Sequence, residues 1–180
     1  MIAPNLINAK GSTAGLRGSK TSTFEGGIRV PAVIWWKGVI ENAKSDQFFF
    51  VQDILPTLLR ASNVNVAETI KFDGKDKWLN LLKNEIVPPK NAFIGARLIA
   101  DERALFNGKW KLRWSKPQLI PVSASYSLFD ILEDPYEKND LSEEHPQVVD
   151  AMKKTLTSYI ERDVVGDMTV SYTHLRAHET

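Results

Sequence analysis

Residues Ile28-Arg29-Val30-Pro31-Ala32-Val33-Ile34-Trp35-Trp36 form a nearly continuous apolar, β-branched and aromatic run. A run with no polar alternation has no face to offer to water, so it reads as a strand covered on both sides. Strands of that kind belong to sheets flanked by helices, which makes α/β the expected fold class. The chain can support such a body, because 180 residues at 43% hydrophobic content with five Trp are enough to bury a core.

The surrounding pattern divides the chain. Residues 1–24 are rich in Gly, Ser, Thr, Asn and Lys without a sustained hydrophobic period and read as a long irregular loop, a length that is uncommon unless functional. Gln47–Val51 is a second apolar run. A helix is expected to follow over Asp53–Arg60, capped by Asp53, with Pro56 in its first turn and its apolar face on the sheet. Asp73-Gly74 marks a turn, and Trp78, Leu79, Leu81 and Leu82 predict a short amphipathic helix ending before Pro88-Pro89. That proline pair is the expected boundary between a unit at 1–88 and a smaller one at 89–165.

Beyond it the periods shorten. Ala92–Ile99, Ala104–Phe106, Trp110–Trp114 and Tyr126–Ile131 read as strands, with Asn107-Gly108 as a hairpin signal. Pro146 is expected to open a helix whose Val148, Val149, Met152, Leu156, Tyr159 and Ile160 share one stripe. An antiparallel sheet with a packed helix results. Residues 166–180 continue neither pattern. From Val170 they resemble the in-frame translation of a transposon-type sequencing-library adapter, so this tail is set aside as non-native.

Composition removes several functions. A formal net charge of +1, with no Lys/Arg block, gives no electrostatic basis for binding nucleic acid or an anionic membrane. Zero cysteines exclude disulfides, thiolate metal sites and a Cys nucleophile in this stretch. No segment approaches the roughly 20 apolar residues of a spanning helix, and the first residues lack a signal-peptide pattern.

The segment Leu16-Arg17-Gly18-Ser19-Lys20-Thr21-Ser22-Thr23-Phe24-Glu25-Gly26-Gly27-Ile28-Arg29-Val30-Pro31 resembles the signature of the sulfatase family, arylsulfatase branch, in which Leu-Arg-Gly-x-Lys leads into Glu-Gly-Gly-x-Arg-Val-Pro. Gln52–Leu59 and Asp73-Gly74 follow in the family's order. Asn107–Leu112 and Leu128–Leu141 are similar to its small C-terminal domain. The likeness spans roughly residues 5–163. It implies the C-terminal part of an alkaline-phosphatase-like sandwich plus a small antiparallel sheet with a packed C-terminal helix.

The resemblance also implies chemistry. Cleaving a sulfate ester builds negative charge on the sulfuryl oxygens and leaving group, so cations must be fixed in advance. Read alone, Lys20 is an ordinary solvated loop lysine; by resemblance it is the sulfate-contacting catalytic residue, a compact charge with three donors. Arg17, Glu25 and Arg29 read as a buried pair system fixing loop shape rather than as catalysts. Gly26-Gly27 could cradle an anion or allow positive φ or close packing. Trp35 and Trp36 read as core and sheet cover.

A formylglycine made from Cys or Ser, a neighbouring Arg, an upstream Asp pair and an Asp-Asn pair holding calcium are implied for the full-length enzyme and have no counterpart here. No cofactor-binding or metal residue is therefore assigned. Asp101, Glu102 and Glu133-Asp134 are given no metal role. His174 and His178, at i and i+4, could ligate a metal but fall in the set-aside tail, and His145 reads as part of a helix start. The reading is thus a C-terminal portion of a sulfuric ester hydrolase, itself inactive. A sulfated small molecule or glycan is the substrate, the N-terminal remainder is the partner, and an exported location is implied by the family. Alternatives are a phosphodiesterase or phosphonate monoester hydrolase of the same superfamily, or a non-catalytic sulfatase-derived module.

Overall fold

The computed structural model describes residues 12–97 and 100–162. The start of the first loop, Leu98 and Ile99 at the end of the first expected strand, and the whole 166–180 tail with His174 and His178 lie outside the described residues.

The C-terminal unit follows its local signals. Strands β1 (Lys90–Arg97), β2 (Ala100–Asn107), β3 (Trp110–Pro117) and β4 (Ser125–Asp130) form one antiparallel sheet in sequential order. The β2–β3 turn has Gly108 and Lys109 at its centre, with Asn107 opposite Trp110 and Gly108 at φ 63°. Register then pairs Leu105 with Leu112 and Leu112 with Leu128. Because side chains alternate across a strand, these leucines point to one face. Helix α4 (Pro146–Arg162) covers that face with Val149, Met152 and Leu156, joined by Phe93, Trp110, Trp114, Tyr126 and Tyr159. The Phe93 and Tyr159 rings stack at 5.3 Å. On the free edge of β4, Leu141 donates its N–H to the Leu128 carbonyl at 2.8 Å and Asp140 accepts the Leu128 N–H at 3.0 Å. The loop after β4 thereby satisfies part of an edge that would otherwise be open.

The opposite face is of a different kind. Ala104, Phe106, Phe129 and Ile131 form its apolar part, against Phe24, Ile28, Phe48 and Phe50 from the first half of the chain. Charged Lys111 and Arg113 from β3 lie buried on this face as well. The N-terminal segment is thus the cover of the sheet's second face.

Three expectations fail in the first half. The run at 28–36 is not a strand: helix α1 (Glu25–Ile28) ends inside it, and residues 29–36 have no regular secondary structure. Val33 is 93% and Trp35 80% exposed, so the two tryptophans are not core, and Trp36 touches only the Trp78 ring, at 5.5 Å, among the aromatic contacts of the described residues. The run states a demand for cover on two faces, and no described element supplies it.

Helix α2 (Ile54–Ala61) is the second case. It buries Pro56 and Thr57 and turns Ile54, Leu55 and Leu58 to solvent rather than to the sheet. Asp53 is the third. It occupies the N-cap position of α2, but its side chain makes no capping bond there; it closes the 3-10 turn Val51–Asp53 by accepting the Phe50 N–H at 3.0 Å, and ties Lys75 by accepting its N–H at 2.7 Å. Helix α3 (Trp78–Lys83) forms as predicted and ends at Asn84 in the left-handed region.

These exposed apolar surfaces favour self-association of the isolated chain. Sedimentation of the purified protein is expected to show concentration-dependent oligomers, and the double substitution Val33→Ser/Trp35→Ser to suppress them. A monodisperse monomer of the unsubstituted chain would contradict this.

Candidate functional site

Lys20 sits on a tight turn. The Ser22 N–H donates to the Ser19 carbonyl at 3.1 Å, leaving Lys20 and Thr21 as the central residues, with Thr21 at φ 76°. The Lys20 side chain is exposed, and among the described residues it has no ion-pair partner. Directly behind this turn the start of α1 is packed backbone to backbone. Gly26 donates to the Arg17 carbonyl at 2.7 Å, and a Cβ on Gly26 would come within 2.7 Å of the Arg17 and Gly18 oxygens. A Cβ on Gly27 would lie 2.3 Å from the Ser22 oxygen and 2.5 Å from that of Ser19. Neither glycine has positive φ. Close approach, not a left-handed backbone or an anion cradle, is what their missing side chains allow.

The sheet holds the next three residues. The Thr23 N–H and Oγ1 both donate to Glu102 Oε2, at 2.8 and 3.1 Å, and Arg113 binds the same pair, donating from Nε to Thr23 Oγ1 at 3.0 Å and pairing with Glu102 at 2.8 Å. The Phe24 ring lies 3.5 Å from the Arg113 guanidinium carbon and 4.2 Å from that of Arg17, within cation–π range of both. Glu25 donates its backbone N–H to Glu137 Oε2 at 2.7 Å. Its carboxylate pairs with Arg29 through one oxygen and accepts from Lys111 Nζ through the other, at 2.7 Å. Lys111 Nζ is also 2.7 Å from Glu137 Oε1. Arg17 donates to the Glu137 carbonyl at 2.7 Å.

Electrostatics differ between the two anchors. Burial would raise the Glu102 carboxyl, but the Thr23 amide and the Arg113 guanidinium outweigh it and hold it below the ordinary glutamate value of 4.5. Burial pushes Glu137 above that value, assisted by the Glu25 charge and only partly opposed by Lys111 and the Glu25 amide. Asp140 is raised by burial and lowered further by the Leu128 and Ser142 amides, with a net shift below 3.8.

Only part of the buried pair system expected to fix loop shape is present: Glu25 is buried and pairs with Arg29, but Arg29 is exposed, and Arg17, also exposed, binds the Glu137 carbonyl rather than a carboxylate; Lys20 lies at the tip of this loop. Trp35 and Trp36 lie elsewhere. His145 stands at the start of α4, its ring 4.9 Å from that of Trp110. Glu102, Lys111, Arg113 and Glu137 were not singled out for this role by the sequence. Their signal was weak but present: Lys111 and Arg113 alternate with Trp110, Leu112 and Trp114, which is the period of a strand with two occupied faces.

The calcium implied above does not fit the residues described. Among the described residues no group of three or more His, Cys, Asp or Glu could hold a metal, and the chain has no cysteine. No step is routed through calcium or a formylglycine.

The family model for sulfatases matches residues 3–64, the segment that holds Lys20 and the Gly-Gly step. In sequence the chain is similar to sulfatases over about four-fifths of its length. It is 26% identical to the N-acetylgalactosamine-6-O-sulfatase of Bacteroides thetaiotaomicron over 79% of this chain and 29% of that protein. An uncharacterized sulfatase of Schizosaccharomyces pombe is 30% identical over 80% of this chain and 27% of its own length, and arylsulfatase A of Bos taurus 28% over 77% and 32%. The chain therefore spans less than a third of these relatives. Its fold is similar to that of part of a solved Bacteroides thetaiotaomicron protein from a locus for the metabolism of multiple glycosaminoglycans. The TM-score is 0.63 at 24% identity, over 88% of this chain and 34% of that one.

Two outcomes follow from this geometry. Gly27→Ala is expected to destabilise the protein by about 1–3 kcal/mol through overpacking, read as a lowered denaturation midpoint; an unchanged midpoint would refute the close-approach account. Because the Glu102 value is depressed on folding, its contribution is present above 4.5 and lost as pH falls through its folded value. Glu137, raised on folding, runs in the opposite sense. The melting temperature should fall on acidification from pH 6 to pH 3, and Glu102→Gln should show a smaller fall; equal falls would contradict the assignment.

Proposed function

We propose that the protein of which this sequence forms part hydrolyses sulfate esters of sugars, with Lys20 contacting the transferred group. The family supports a sulfatase-like hydrolase. The observation that carries the finer reading is Lys20 itself: an exposed ammonium at a turn whose backbone has no freedom to retreat, because Gly26 and Gly27 close off the space behind it.

The chemistry suits such a cation. As the S–O bond breaks, charge grows on the sulfuryl oxygens, and a fixed ammonium stabilises it without reorganising at the moment of reaction. An ammonium presents one compact charge rather than a planar fork, so Arg at this position would not match it. We propose calcium and a formylglycine nucleophile for the whole protein, supplied by residues other than those described here, and an exported location. The sugar is suggested by the relative that acts on an N-acetylgalactosamine 6-sulfate group and by the glycosaminoglycan context of the fold neighbour. The inner walls of the substrate pocket are the part that the N-terminal remainder would supply.

In the whole enzyme, Lys20→Ala is expected to lower kcat/KM on N-acetylgalactosamine 6-sulfate by about 10²–10³, the usual effect of removing one charge-stabilising donor, with Lys20→Arg recovering little. The 180-residue chain by itself should not turn over this sugar or an aryl sulfate. Full activity of Lys20→Ala, or turnover by the isolated chain, would overthrow the reading.

A further inference from the structure

We propose that Glu102, Lys111, Arg113 and Glu137 are positioning residues: a clamp on the small sheet that sets the geometry of the loop carrying Lys20. This rests on the reading of Lys20 as the sulfate-contacting residue and adds to it a function for the small C-terminal sheet.

Several features separate the clamp from an incidental set of ion pairs. It holds backbone as well as side chains: the amides of both Thr23 and Glu25 donate to carboxylates from the sheet unit, across 79 and 112 residues of sequence. It is also dry. Lys111 is fully buried with Glu25 and Glu137 around it, and its ammonium stands 5.1 Å from the Phe106 ring centroid. A buried cation between two carboxylates tolerates little displacement, since moving either partner leaves a charge unpaired away from water. The grip lies close to the tip, as only Thr21 and Ser22 separate Thr23 from Lys20.

Rigid contacts carry the position onward. Ser22 Oγ accepts the Phe24 N–H at 3.1 Å, the Ser22 N–H closes the Lys20 turn onto Ser19, and Gly27 lies against the Ser19 and Ser22 carbonyls. A shift at Thr23 or Glu25 therefore reaches the Lys20 turn without slack to absorb it. The small unit's main core is elsewhere, on the α4 face, built from Leu105, Leu112, Leu128, Val149, Met152 and Leu156. Clamp residues can be altered while that core stays intact.

Amide hydrogen exchange on the 180-residue chain tests this, with Glu102→Gln and Glu137→Gln keeping side-chain shape while removing charge. The expected result is exchange about tenfold faster at Thr23, Glu25 and also Ser22, whose amide touches no clamp residue, at unchanged rates for the β3 amides. Unchanged exchange at Ser22 would overturn the proposal, because the grip would then stop where it touches. Equal acceleration in β3 would also overturn it, because the residues would then be general stabilisers. Lys111→Met should give a stronger form of the same pattern; should it not fold, the glutamine variants still decide. In the whole enzyme, Glu137→Gln should lower kcat/KM on the sulfated sugar about tenfold. Lys20→Ala should leave the exchange pattern as it was. If that variant retains full activity, the hydrolase reading falls while the exchange result stands, whereas an unresponsive Ser22 removes the clamp and leaves the hydrolase reading in place.

Discussion

The buried contact of Lys111 with Glu25 and Glu137 is the interaction on which this arrangement depends. Taking an ammonium out of water is costly, and the cost is recovered only where geometry and hydrogen bonding around the ion are good. Here the cation meets two carboxylates at 2.7 Å, and one of them also accepts a backbone amide. Arg29, bound to the second oxygen of Glu25, brings the local count to two positive and two negative groups. Such a cluster has one good arrangement and many poor ones. It therefore fixes where a loop lies, because displacing either partner would leave a charge unpaired away from water.

The sheet is two-faced for this reason. Its α4 side is an ordinary apolar core that supplies stability, and its other side mixes Phe106 and Phe129 with Lys111 and Arg113 and supplies register for a segment that has no secondary structure beyond a single helical turn. The pattern of β3 encodes both tasks at once, since Trp110, Leu112 and Trp114 serve one side while Lys111 and Arg113 serve the other. Long stems on the charged residues let their carbon atoms pack while their heads reach the loop.

How much of this could be read from sequence depended on whether the relevant information was local. Pro146 and the stripe from Val148 to Ile160 identify α4 because a helix is specified within a few turns, and the β2–β3 hairpin is visible in Asn107-Gly108 for the same reason. Lys20 and the Gly-Gly step were legible through resemblance, although only the structure gave close approach as the reason for the glycines. Val30–Trp36 was misread because an apolar run tells what surroundings it requires, not whether the described chain provides them. Asp53 was misread because its true partner, the Lys75 amide, is 22 residues away. The clamp was missed because charged residues alternating along a strand look solvated until something is known to cover them, and its cover comes from about 90 residues earlier.

That separation has a consequence for synthesis. The Thr23–Glu25 tripeptide leaves the ribosome well before its holders, and Glu137 follows Glu25 by 112 residues. At ordinary elongation rates this is an interval on the order of ten seconds. Throughout it the Lys20 loop lacks the groups that define its shape. The lysine turn is thus among the last parts of this chain to mature, and any truncation upstream of residue 137 would leave it unfinished.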